Sequence, residues 1–458
     1  MGRERSVSVS ATRTSTFWGI GYATDLWSGA RRAWVSLEPL RQDAALYAVS
    51  AIFALFMYGF TSGDYSVWGE IAFGPYLAGA LTSELWQRRG TASRPQPVRR
   101  AILVGVFAGA VLAPLGCLVV WRAQGVPGFH AQVEVGVIEA AGDRALHGHD
   151  PYLADPKTVG VNLQNDNRSV DADTYFTYLP AMVPFGMTGK LPGPLELKDA
   201  RLAIVGFTLV VALIAIAGPG AVFERRTRVL QVLLVLPTGA HPLATGGDDL
   251  PVLALMLLSV VLAARRRPVL SGLVMGLAGA MKLIAWPLLV LLALAVRDKR
   301  DRPARVPYLF AMLAVLMPTV LVGFVPDPRA FIVNVVEFPL GLAKVKSPAA
   351  SPFLGEALTS LIPGERHLIT GLLLLVGVVI VAAVIYRWPP RTPTSAVLLT
   401  AFALLLATVL SPATRFGYLI YPTNLLVWAI MLETRRPFPA SPAGRTSPAP
   451  PVQAGSCA

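Results

Sequence analysis

Cysteine is nearly absent from this chain of 458 residues: Cys117 lies inside an apolar run and Cys457 among the last residues. That excludes a disulfide framework and a thiolate metal site. Charge is scarce as well. Only 15% of the residues are charged while 54% are hydrophobic, and the mean hydropathy is +0.56, a balance that a soluble protein of this length would struggle to keep in water. Carboxylates are the scarcer sign, 27 against 40 lysines and arginines. The net charge of +13 would suit nucleic acid if it formed one stripe, but the basic residues fall in short clusters between apolar runs, which argues against a nucleic-acid partner and points to membrane topology. The first 43 residues lack the apolar core and small-residue cleavage site of a signal peptide. Residues 1–43 therefore read as a retained cytoplasmic arm, with Trp18, Trp27 and Trp34 at the interface.

What the chain does have is a succession of apolar runs. A hydrocarbon core about 30 Å thick takes about 20 residues per helix. Suitable runs lie near 44–62, 66–86, 101–121, 202–223, 229–244, 249–264, 268–281, 283–296, 306–325, 367–386, 393–411 and 416–432. The expected fold is an all-α integral membrane protein with about twelve membrane helices over residues 44–436, followed by a disordered Pro/Ala/Ser-rich tail, 437–458. The runs at 229, 268 and 283 are short and carry Pro, Gly or Lys, so tilted, broken or half-inserted helices are expected there.

Basic clusters at Arg88–Arg100, Arg225–Arg228, Arg265–Arg267, Arg297–Arg305, Arg387–Arg391 and Arg435–Arg436 all fall on one side of this arrangement, the cytoplasmic side by the positive-inside rule. Loops 122–201, 241–249, 326–366 and 412–415 fall on the other, and both termini are expected to be cytoplasmic. The rule holds only if 268–296 crosses an even number of times, as a hairpin. The outer loop 122–201 is the longest and holds ten carboxylates, and the five histidines, His130, His147, His149, His241 and His367, lie at or beside the outer face.

Residues 131–147 carry Val133, Val137, Ile138, Ala141 and Ala145 at helical spacing, with Gly148 as a stop. A short interfacial helix is expected. Glu134 shares its face with Ile138 and Ala141, where desolvation would raise its pKa and suit it to act as a general base. The alternative is an ordinary solvated amphipathic helix. His147-Gly148-His149-Asp150 could bind a metal in principle, but the Gly and Pro punctuation and the lack of further ligands speak against it. Tyr175 to Pro180 leads into an apolar segment, Ala181–Met187, too short to span. Its Tyr rings could stack on a sugar or prenyl chain, or simply form an aromatic belt. Asp248 and Asp249 follow Thr245-Gly246-Gly247, and Lys282 sits between two half-length apolar runs. Intramembrane charges are costly and usually paired or functional; Lys282 could meet a lipid-borne phosphate or could snorkel. Arg415, with Tyr418 and Tyr421 after it, offers a second, bidentate phosphate contact.

The Glu134 helix ending in Gly148-His149-Asp150-Pro151-Tyr152, then Tyr178-Leu179-Pro180, Gly246-Gly247-Asp248-Asp249, and Ser271-Gly272-Leu273 through Gly276-Leu277-Ala278 to Lys282 and Pro287, resemble the polyprenol-phosphate-mannose-dependent mannosyltransferases of actinobacteria, members of the glycosyltransferase-C superfamily. The resemblance covers most of residues 100–432. It implies a glycosyltransferase-C fold and inverting transfer of a hexose, mannose foremost, from a polyprenyl-phosphate donor to a lipid or glycan acceptor of the cell envelope, at the outer face of the plasma membrane. It also implies Glu134 as general base where better-known relatives have Asp, with Glu139 in reserve; the leaving phosphate needs cations, for which Lys282 and Arg415 are the candidates, and Asp150, Tyr152, Tyr178, Asp248, Asp249 and Tyr418 are expected to line the substrates. No cofactor or metal is required, because a monophosphate leaving group needs only cations to receive it. A multi-pass transporter is the main rival, disfavoured because its site would lie at the midplane between paired repeats. A non-catalytic scaffold of envelope biosynthesis is the third reading.

Overall fold

The structure, a computed structural model, describes residues 36–89, 95–153, 175–217, 226–344, 347 and 349–432. Almost all of the expected N-terminal arm, including Trp18, Trp27 and Trp34, lies outside the described residues, as do the tail and the middle of the 122–201 loop. Among the described residues regular structure is helical, apart from two isolated β-bridges, Arg297 with Pro303 and Ala350 with Thr414.

Helix α1, Pro39–Phe60, is followed by α2, Asp64–Arg88. The next rod is α3, Pro95–Phe107, which passes through a π-helical turn, Ala108–Leu112, into α4, Ala113–Ala123. The surface helix α5 is Val133–Leu146, as the apolar spacing predicts. Then come α6, Ala200–Ala217; α7, Arg226–Leu230; α8, Pro237–Thr245; α9, Leu250–Ala264; α10, Pro268–Gly279; and α11, Trp286–Ala295. The chain closes with α12, Arg305–Phe324; α13, Pro328–Ile332; α14, Leu354–Leu361; α15, Arg366–Arg387; α16, Pro393–Leu410; and α17, Ile420–Leu432. Proline at the first or second position starts many of them, where its missing N–H costs nothing.

Six helices among the described residues are long and apolar enough to cross a membrane, and four more apolar helices, of 10 to 17 residues, are shorter than that. The chain is a multi-pass membrane protein. The expected twelve crossings are not reproduced as twelve full-length helices, for local reasons. The run at 229–244 is split: α7 gives way to a π-helical turn, Gln231–Val235, then breaks at extended Leu236 before α8. The runs at 268 and 283 form the expected hairpin, as two short helices joined by Ala280–Lys282 and a 3-10 turn, Leu283–Ala285. The first helix also starts five residues earlier than the 1–43 arm allows, because Pro39 initiates it and Gln42 and Asp43 are buried in a polar network.

Position follows from composition. Helix α9 is buried on nearly every side and forms the axis of the bundle, as an all-round apolar helix should. Helix α15 is equally apolar but only 6% of its apolar window is buried, so it faces outward to lipid. Gly272 and Gly276 let α10 approach α12 closely: a Cβ on either would come within 2.3 Å of the Tyr308 carbonyl or 2.5 Å of the Met312 carbonyl.

Polar contacts gather the connections into two ends. At the basic end Arg99 donates to Asp43 at 2.5 and 3.0 Å, Arg228 donates to Gln231 and Gln42, and Gln231 donates to Asp43 and to Tyr47. At the opposite end Gln132 donates to Thr245 through both its backbone and its side chain, and the Leu179 and Ala181 N–H groups donate to the Met281 and Ala280 carbonyls. The 178–182 segment is thereby fastened to the hairpin tip.

A buried clamp holds this end together. Arg201, fully buried, donates to Asp199 through Nε and one terminal nitrogen and to the His130 and Ala244 carbonyls through the other. Arg122 donates to both oxygens of Glu139 and to Asp199. Burial opposes the charge of Asp199, but Arg201 and Arg122 outweigh it and bring its pKa down to about 2. Because that value is depressed from the ordinary 3.8, the stabilisation is complete above the unfolded value and is lost as pH falls through about 2. Arg201→Ala leaves Asp199 to Arg122 alone and strips two carbonyls of their donor, and is expected to cost about 3 kcal/mol, read as a large fall in melting temperature of the purified protein in detergent; an unchanged melting curve would show that the clamp is not what holds this end.

Candidate active site

The groups at the carboxylate-rich end converge because three connections meet there. Gly63, with φ +64°, makes the tight turn between α1 and α2 and lies against Phe129, so Asp64 starts α2 beneath the approach to α5. Gly246 packs on Gln132, where a Cβ would come 2.3 Å from Oε1, and Gly247 has φ +77°. Those two glycines let the chain turn from α8 into Asp248 and Asp249 directly beside the start of α5.

Two ion-paired groups occupy this ground. Lys282 Nζ donates to Asp248 and to Asp249, each at 2.5 Å, and lies 4.9 Å from the centre of the Tyr178 ring. Tyr421 donates to Asp249 at 2.7 Å. Arg415 donates to Glu134. Tyr418 is within electrostatic reach of Lys282, Arg415, Asp249 and Glu134, and Tyr178 of Asp248, Glu134 and Asp249, so the two groups share one neighbourhood. The cations differ in access: the Arg415 side chain is 42% exposed and that of Lys282 14%.

The structure therefore brings together Glu134, Arg415, Lys282, Asp248, Asp249, Tyr178 and Tyr418. It sets others apart. Glu139 belongs to the Arg122 and Asp199 clamp and also accepts from the Ala200 N–H, so it is engaged elsewhere. Tyr152 is a buried support whose hydroxyl donates to the Tyr178 carbonyl at 2.9 Å and whose ring packs on Phe176 and Phe331. Asp150 accepts from the Tyr152 N–H and fixes the turn after α5; burial pushes its carboxyl up. The expected apolar setting of Glu134 is only half realised, since the face it shares with Ile138 also meets Arg415.

Asp64 is the residue the sequence reading missed. It is buried, and its Oδ2 has no hydrogen-bond partner among the described residues. It lies within electrostatic reach of Glu134 and Arg201. The available signal was a carboxylate at a glycine turn on the side where the other carboxylates collect. The half-buried ring of His241 stacks edge-on against Tyr65, the residue after Asp64, and against Trp68. No group of His, Cys, Asp and Glu among the described residues has the arrangement to hold a metal ion.

A half-buried cluster of carboxylates and cations at one end of an apolar helix bundle is the candidate site of this multi-pass membrane protein. The chain belongs to glycosyltransferase family 87, whose model matches residues 176–412, over half of its length. That match contains Tyr178, Asp248, Asp249 and Lys282, while Asp64, Glu134 and Arg415 lie outside it. No curated protein and no solved structure matches the chain.

Gly63 tests the geometry. Gly63→Ala must carry a side chain at φ +64° with its Cβ 2.9 Å from that of Phe129, and should lose about 1–3 kcal/mol. Gly59→Ala, with nothing within 4 Å in α1, should be neutral or stabilising. Melting temperatures of the two variants decide it; equal shifts would mean that the turn is unconstrained.

Proposed function

We propose that this membrane glycosyltransferase moves a hexose, mannose foremost, from a polyprenyl-phosphate donor to a hydroxyl of a lipid-linked or cell-envelope glycan acceptor, with inversion. The site would face the outside of the plasma membrane, with the basic end cytoplasmic. The observation that carries the reading is the pairing of accessible Arg415 with Glu134 beside Asp64, which keeps an oxygen unpartnered. An inverting transfer needs one carboxylate to take the acceptor proton while the acceptor oxygen bonds to the anomeric carbon and the carbon–oxygen bond to the phosphate breaks. It also needs cations where the phosphate gathers charge.

Arg415 is the more exposed cation and so the main phosphate contact. Lys282 has spent two of its three N–H donors on Asp248 and Asp249 and keeps one for the same phosphate. A phosphate on Arg415 competes with Glu134 and releases it. Two carboxylates can then serve as base. Asp64 is the first candidate, because its free oxygen needs no partner exchange; Glu134 is the second, available once the donor is bound. Tyr418 offers a ring face to the sugar or the prenyl chain, while Tyr178 is buried beneath Lys282 and supports that cation. Family membership speaks for an enzyme over a transporter.

The test is transfer from radiolabelled polyprenyl-phosphate-mannose to a lipid or oligomannoside acceptor by purified protein. Loss of the true base should lower kcat by about 10²–10⁴-fold with donor affinity retained, so Asp64→Asn and Glu134→Gln identify it. Arg415→Gln should raise the donor KM. Full transfer by both carboxylate variants would reject the assignment of the base. Absence of transfer with any acceptor, alongside solute movement across vesicles, would restore the transporter reading.

A further inference from the structure

We propose that a second, separate site at the basic end of the bundle binds a phosphate-bearing anion. A cavity of about 350 Å³ opens there between the end of α11, the start of α12 and the connection into α16. Arg297, Arg305 and Arg391 line it together with Leu294, Pro389 and Pro390, and no carboxylate does.

Three features make this more than a topology signal. Several described arginines at this end are held by acids: Arg99 and Arg228 by Asp43, Arg266 by Asp301, Arg88 by Glu84. Arg305 and Arg391, by contrast, have no side-chain partner among the described residues and come from connections 86 residues apart in the sequence, yet they meet on one cavity. Arg297 donates to the Asp301 carbonyl at 2.8 Å and has that residue's carboxylate 3.9 Å away, which fixes its position beside the cavity but shares its charge.

The backbone adds to this charge. Arg305 is the first residue of α12, a 20-residue helix whose N-terminus has no side-chain cap, and Arg391 precedes the Thr392 cap of the 18-residue α16. The positive end of the α12 dipole thus begins at the cavity wall, whereas the α16 N-terminus is closed by the Thr392 and Ser395 capping box. Guanidinium forks of this kind match the tetrahedral oxygens of a phosphate, and Leu294 gives an apolar side to the same space. The chemistry fits a phosphate monoester or diester, either on a lipid headgroup or free in solution.

The experiment uses the full chain, purified in detergent and in nanodiscs, with two probes: phosphatidic acid against phosphatidylcholine, read by native mass spectrometry, and inorganic phosphate alone, read as a melting shift. Arg305→Gln and Arg391→Gln remove the proposed contacts, Arg391→Lys keeps the charge without the fork, and Arg88→Gln removes a paired charge elsewhere at this end. Melting without ligand verifies that each variant is folded. Preferential retention of phosphatidic acid, about tenfold weaker in either Gln variant, weakened in the Lys variant and unchanged in Arg88→Gln, supports a lipid headgroup. A phosphate-dependent melting shift with the same variant pattern and no lipid preference supports a free anion. Binding of both probes that is equal in wild type and the two Gln variants, or absent throughout, overturns the proposal.

Discussion

A positive charge with no water around it governs the carboxylate-rich end of this molecule. Arg201 is fully buried, and a guanidinium there must find an acceptor for every N–H it can present. It finds them on Asp199, on the approach to α5 and on the end of α8, three places far apart in the chain. The need to satisfy one side chain thus draws the surface helix, the α8 terminus and the start of α6 to a common point. Glu139 and Arg122 extend the same solution outward. Glu134, Asp248 and Asp249 then come near one another because their backbones follow directly from what Arg201 has gathered.

The site shows a second economy. Its cations are shared with carboxylates rather than held in reserve, and Lys282 with Asp248 and Asp249 forms a group with one excess negative charge. Such a cluster is stable while empty and must change partners when an anion arrives. Selectivity for a donor would then rest on what the incoming phosphate offers Arg415 compared with Glu134. A neutral sugar presents no such competition.

Much of this was legible in the sequence. The 3.6-residue spacing after His130 defined α5, and the half-length runs around Lys282 defined the hairpin, because both are local properties. The basic clusters foretold which connections share an end. What the sequence could not show was long-range pairing. Glu134 and Arg415 stand 281 positions apart, so no periodicity connects them, and Glu139 looked like a spare base until its bonds to Arg122 and Ala200 were visible. Asp64 was hidden for another reason: a single acid at the mouth of an apolar run reads as an ordinary helix boundary, and only its burial and its unpartnered oxygen set it apart. Six helices among the described residues are long enough to cross, and the runs at 229, 268 and 283 are short or broken, as their Pro, Gly and Lys led one to expect.

The shortness of α10 sets a depth. Its 12 residues extend about 18 Å, well short of a hydrocarbon core about 30 Å thick. With the basic end cytoplasmic, as proposed, the hairpin tip with Lys282 and the 178–182 segment bonded to it would lie below the opposite surface. A donor would have to sink its headgroup below the plane of its neighbours to reach that lysine. Discrimination between lipid carriers would then begin with how far each can be pulled down, before any sugar is recognised.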